Sequence, residues 1–236
     1  MKTSRLFILL LLSFQLSSCA DLQQVINSLP EEGLSNMQIA SGLKEALNKG
    51  IDKEVTKLMA PDGFYNDQMV KILLPNDLQK VDQTLRDIGL GQLADEGLKL
   101  LNTAASDAVK EAKPIFVDAI TSMSFDDAKN ILLGNAKAAT DYLRQKTSNS
   151  LYQKFKPQVS QSLKKVNADK VWNDIITRYN QVPFVQKVNP DLTDYVTNKA
   201  MEGVFKKVGV EEQKIRTDIG ERSSDLLKKV FALQDK

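Results

Sequence analysis

Apolar positions recur at three- and four-residue steps almost from end to end of this chain, with polar residues filling the faces between them. Ile39, Leu43, Ala46, Leu47, Ile51, Val55 and Leu58 carry that period and predict a helix of about Asn36–Met59. Pro61-Asp-Gly63 stops it. After the short apolar piece at 71–75, Asn76 or Asp77 caps a helix carrying Leu78, Val81, Leu85 and Ile88, closed by Gly89-Leu-Gly91. The next helix, expected to be the longest, places Leu93, Gly97, Leu100, Leu101, Ala104, Ala105, Ala108, Val109 and Ala112 on one small-residue stripe. Such a stripe admits a close neighbour, so this element is expected at the centre, with a kink or break at Pro114. Ile115, Phe116, Ala119, Ile120 and Met123 continue the apolar face.

Ser124-Phe-Asp-Asp127 reads as a capping box with Asp in place of the usual Glu, opening a short helix that ends at Gly134. From Ala139 through Leu143, Thr147, Leu151, Phe155, Val159, Leu163 and Val166 the step is almost strictly four, with a bend expected at Pro157. A helix around Trp172, Ile175, Ile176 and Tyr179 is predicted over 169–180, then a loop at 182–190. Asp191 opens a helix through Leu192, Tyr195, Val196, Ala200, Val204 and Val208. Gly209 is expected to separate it from 210–216, and Leu226, Leu227, Val230 and Phe231 mark a last helix. No strand-like alternation competes. The predicted fold is an all-α bundle of roughly 8–10 helices.

The first residues follow a different pattern. Lys2 and Arg5 precede the run Leu6–Leu12, far shorter than the roughly 20 residues of a spanning helix, and small residues follow, as in a secretory signal. Leu16-Ser17-Ser18-Cys19 resembles the bacterial lipobox, and this resemblance implies cleavage before Cys19 and lipid attachment to it. Residues 1–18 are then signal peptide, 19–35 a flexible lipid-anchored tether with a reach of roughly 50 Å, and 36–236 one helical domain. Ala20 in place of an acid after the cysteine implies the outer membrane, facing the periplasm.

That division changes the charge picture. The chain's 32 Lys and Arg lose Lys2 and Arg5, leaving 30 against 30 Asp and Glu. A neutral mature chain gives no electrostatic reason to expect nucleic acid. The composition also excludes chemistry. With no histidine there is no Ser-His-Asp or Cys-His arrangement, and one cysteine excludes an internal disulfide and a multi-thiolate metal site. No metal or cofactor is expected.

Several segments resemble a bacterial family of unknown function, DUF4197: Ala112-Lys-Pro-Ile-Phe116, Ile131-Leu-Leu-Gly-Asn-Ala-Lys-Ala-Ala-Thr-Asp-Tyr142, Phe155-Lys-Pro157, Glu211-Glu-Gln-Lys-Ile-Arg216 and Leu226-Leu-Lys-Lys-Val-Phe231. Gly42-Leu-Lys-Glu-Ala-Leu47 and Leu73-Leu-Pro75 extend the likeness over nearly all the mature chain. It implies an exported or lipid-anchored helical protein and supplies no reaction, ligand or catalytic residue.

The sharpest polar group is Glu211, Glu212 and Arg216, with Arg222 nearby. One reading is a carboxylate pair with an anion-binding Arg. The other is a helix-start acid and an intrahelical ion pair contributing a few tenths of a kcal/mol. Asp126 and Asp127 read as capping residues, and Gly89, Gly91 and Gly134 as helix ends and not phosphate loops. Tyr142, Tyr152, Tyr179, Tyr195 and Trp172 read as core aromatics, and the doublets Lys164-Lys165, Lys206-Lys207 and Lys228-Lys229 as solvated faces. No catalytic residue emerges. The leading expectation is a non-enzymatic envelope protein that binds another envelope component or acts structurally. The alternatives are a carrier or sensor of an apolar or amphipathic small molecule held near the alanine-rich segment, and a hydrolase using carboxylates alone, which needs two acids roughly 5–10 Å apart in a cleft.

Overall fold

The structure, a computed structural model, describes residues 34–74, 91–170 and 191–235, and isolated positions in the two intervals between them. The expected signal, the tether up to 33, Cys19, the helix of Leu78 to Ile88, the helix around Trp172 and Tyr179, and most of the loop at 182–190 lie outside the described residues. From Asn36 onward the described chain forms one compact unit. Among the described residues there are seven α-helices, one 3-10 turn and no strand.

Helix α1, Asn36–Met59, buries Leu43, Leu47, Ile51, Val55 and Leu58, as its periodicity requires. The turn after it needs Gly63, where a Cβ would run into the carbonyl oxygens of Lys57 and Leu58. Helix α2, Gly91–Val109, buries Ala104, Ala105, Ala108 and Val109. It packs on α1 and on two later helices, α5 (Ala138–Lys164) and α6 (Leu192–Thr217). At 19 residues α2 is not the longest element; α5 has 27 and α6 has 26.

The break expected at Pro114 falls just before it, and α3 spans Ala112–Thr121. Pro114 is its third residue, in the first turn, where a missing N–H forfeits no intrahelical bond. Ser124 then opens α4, Phe125–Leu132: its Oγ accepts from Asp127 N at 3.0 Å, and Asp127 Oδ2 accepts from Ser124 N at 3.1 Å. In α5 the helix continues through Pro157. Both Pro157 and Gln153 are exposed, so water can reach the carbonyl that the proline leaves unpaired.

The expected separation at Gly209 is not found. Helix α6 passes straight through it, starting from Asp191, which accepts from Asp194 N at 2.9 Å. Gly209 sits where α6 meets α5: a Cβ there would lie 3.4 Å from Thr140 Oγ1. A glycine costs a helix interior about 1 kcal/mol relative to alanine, which the packing of α6 against α1, α2 and α5 outweighs. Helix α6 is the hub, touching α1, α2 and α5, and Phe205 meets Phe116 of α3 edge to face at 5.8 Å. A 3-10 turn at Ile219–Glu221 leads to α7, Asp225–Phe231, capped by Ser224.

Candidate functional site

Because α6 is continuous, Glu211 and Glu212 lie in its last two turns and not at a helix start. Both are buried, and as neighbours on one helix they face different sides. Glu211 faces α1, where Oε1 accepts from Lys53 Nζ at 2.5 Å and Oε2 from Lys214 Nζ at 3.4 Å. That hydrogen bond, donated to Glu211, raises the Lys53 pKa against the opposing effect of burial.

Glu212 points to the junction of α4 and α5. Its Oε1 accepts from Ala139 N at 2.9 Å and from Arg216 Nε and Nη2 at 3.0 and 2.9 Å. Its Oε2 accepts from Thr140 N at 2.8 Å and Thr140 Oγ1 at 2.7 Å. The carboxylate thus caps the positive end of α5 from another helix. Arg216 completes the clamp, donating from Nη2 to Ile131 O at 2.8 Å and from Nη1 to Leu132 O at 3.1 Å. These are the terminal carbonyls of α4. The i,i+4 pair exists as the spacing suggested, but it is buried and joins three helices, so a few tenths of a kcal/mol understates it.

Arg222 does not join this group. It is buried, donates to Ile215 O and Arg216 O at the end of α6, and grips Asp235 at 2.5 and 2.9 Å. Asp126 is exposed and Asp127 is held by Ser124. The acids therefore face separate partners and do not converge on a cleft. Among the described residues no group of three or more His, Cys, Asp or Glu side chains could hold a metal ion.

Sequence reasoning passed over a buried ionic cluster. Glu54, only 2% exposed, pairs with Lys57 at 2.6 Å and, through Oε2, with Lys207 at 3.2 Å without hydrogen-bond geometry. Lys207 also holds Asp67 at 2.8 Å. Its side chain is 13% exposed, which corrects the solvated reading of that lysine: α6 turns it towards α1 and the turn carrying Asp67. A signal was present, because Glu54 lies four residues from both Gly50 and Leu58 on the buried face. Burial opposes ionisation of Glu54 and Asp67, but their lysine partners outweigh it and hold both pKa values below the ordinary 4.5 and 3.8. Depressed values add stability that is complete above the ordinary range and is lost as pH falls through the lowered ones. The urea midpoint is therefore expected to drop on acidification below about pH 4.5, and Lys207→Met should flatten that drop. An unchanged slope in the variant would refute the coupling.

Two of the tyrosines are anchored at their hydroxyls. Tyr152 donates to Asp194 Oδ1 at 2.6 Å and Tyr195 to Leu73 O at 2.7 Å, while Tyr142 is half-buried. Clefts open at the surface, one of about 1010 Å³ beside Tyr152, Lys156 and Asp191, and the buried alanines of α2 do not line these. No described helix is long and apolar enough to cross a membrane. No curated protein and no solved structure gives a significant match to the chain. The family described as "Protein of unknown function (DUF4197)" matches residues 33–232, and the chain belongs to that family.

Proposed function

We propose that this is a lipid-anchored cell-envelope protein, held at the outer membrane on the periplasmic side, that works without catalysis as a binding or structural module. The observation that carries the reading is Leu16-Ser17-Ser18-Cys19, the chain's one cysteine placed directly after a basic start and a short apolar run. Several acyl chains at that thiol would hold the protein firmly, since each buried methylene contributes about 0.8 kcal/mol. The non-catalytic part rests on how the strongest acid and base candidates are used. Glu212 has five donors and Arg216 and Arg222 bind carbonyls, so these groups are committed to joining helices.

Mass spectrometry of the native protein tests the anchor: the N-terminal fragment is expected to begin at Cys19 and carry acyl mass. A free, unacylated N-terminus sinks the proposal. Cys19→Ala should abolish the acyl signal, and crosslinking in intact cells with the anchor retained should capture an envelope component that the unanchored variant does not.

A further inference from the structure

A groove of about 480 Å³ runs along the crossing of α5 and α6. Lys137, the residue just before α5, and Thr140, Asp141 and Arg144 of α5 line it at i, i+3, i+4 and i+7, and Lys206, Gly209, Val210 and Gln213 repeat that spacing on α6. Seven residues of helix make it roughly 10 Å long. That is too short for a docked helix and right for a small molecule.

The floor is apolar, made by Gly209, Val210 and the buried ring of Phe205. Over that ring sits the guanidinium of Arg144, 4.4 Å from its centroid. On α5, among the described residues, Lys156 pairs with Asp191 whereas Lys146, Lys154 and Lys164 have no ion pair. What sets Arg144 apart is its seat on the Phe205 ring, closer than the ring contacts of Lys146 and Lys156 at 5.6 and 5.4 Å. Among the described residues, the side chains of Arg144 and Lys137 have neither an ion pair nor a hydrogen bond, although Asp141 shares the groove. Lys206 contributes its stem, its ammonium being taken by Met69 O at 2.9 Å. A guanidinium resting on an aromatic face keeps its planar fork of N–H donors for an oxyanion. A positive fork beside an apolar floor is complementary to a molecule with one anionic end.

We propose that this groove binds a small organic anion, with a carboxylate or phosphate monoester on Arg144, supported by Lys137, and an apolar body of up to about 10 Å along Gly209 and Val210. The inference does not depend on the lipid anchor.

The test is titration of the full chain carrying Cys19→Ala with 4-phenylbutyrate, followed by proton–nitrogen correlation spectra, with 4-phenylbutan-1-ol as the uncharged match. The acid is expected to bind saturably, at least tenfold tighter than the alcohol, with shifts centred on Thr140, Arg144 and Gly209. Arg144→Met keeps an apolar cover over Phe205 and should weaken the acid at least tenfold; Lys137→Ser, an exposed change, should weaken it severalfold and decides the matter if Arg144→Met unfolds. Equal binding of acid and alcohol, no saturable binding of the acid, shifts centred elsewhere, or an unchanged affinity in the deciding variant would overturn the proposal.

Discussion

Glu212→Ala is expected to cost about 3–5 kcal/mol of folding stability, the range for removing one partner of a buried ion pair. The substitution orphans several buried groups at once. Without the carboxylate, Ala139 N and Thr140 N at the start of α5 lose their acceptor, Thr140 Oγ1 loses another, and Arg216 loses its counter-charge inside the protein. Arg216 would keep Ile131 O and Leu132 O, which limits the damage on the α4 side. Glu212→Gln retains an acceptor oxygen but no charge, and should fall between wild type and alanine. Urea unfolding followed by helical circular dichroism measures this. A loss below about 1 kcal/mol for the alanine variant would show that the clamp contributes no more than a surface pair.

What could be read beforehand was whatever neighbouring residues decide. Periodicity alone placed the first helix at Asn36–Met59, because its stripe from Leu43 to Leu58 is uninterrupted and a Pro-Asp-Gly turn ends it. The capping box at Ser124 is equally local, since donor and acceptor are three residues apart. Gly209 misled for the opposite reason: glycine is a poor helix former in isolation, and the packing of α6 on α1, α2 and α5, which carries the helix through it, is set by residues far away in the chain. Glu212 illustrates the same limit, its acceptor role being set by donors 72 and 73 residues away. The spacing to Arg216 was visible; the helix ends it joins were not. The groove at Arg144 depends on α5 and α6 lying side by side, so neither half of it stands out alone in the chain.

Asn102→Ala is expected to cost about 2–5 kcal/mol, and its signature should be local. Asn102 is fully buried on α2; its Oδ1 accepts from Ile72 N at 2.7 Å, and its Nδ2 donates to Ile72 O at 2.9 Å and to Leu98 O at 2.7 Å. One side-chain amide thus satisfies both backbone groups of a buried residue outside regular structure, as a neighbouring strand would. Removing it leaves Ile72 N–H and C=O without partners, each costing about 1–3 kcal/mol, and opens a small cavity besides. The rest of the segment has its own fastenings: Phe64 N donates to Ser106 Oγ at 3.3 Å, Lys206 holds Met69 O, and Tyr195 holds Leu73 O. Those remaining ties confine the opening to the stretch around Ile72, and such a local opening costs less than unfolding the bundle. Amide hydrogen exchange should therefore show Ile72 losing protection in the variant while Leu143 and Phe155, buried in α5, keep theirs relative to the new global stability. Undiminished protection at Ile72 would mean that another acceptor takes over, and that Asn102 is not what fixes this segment to α2.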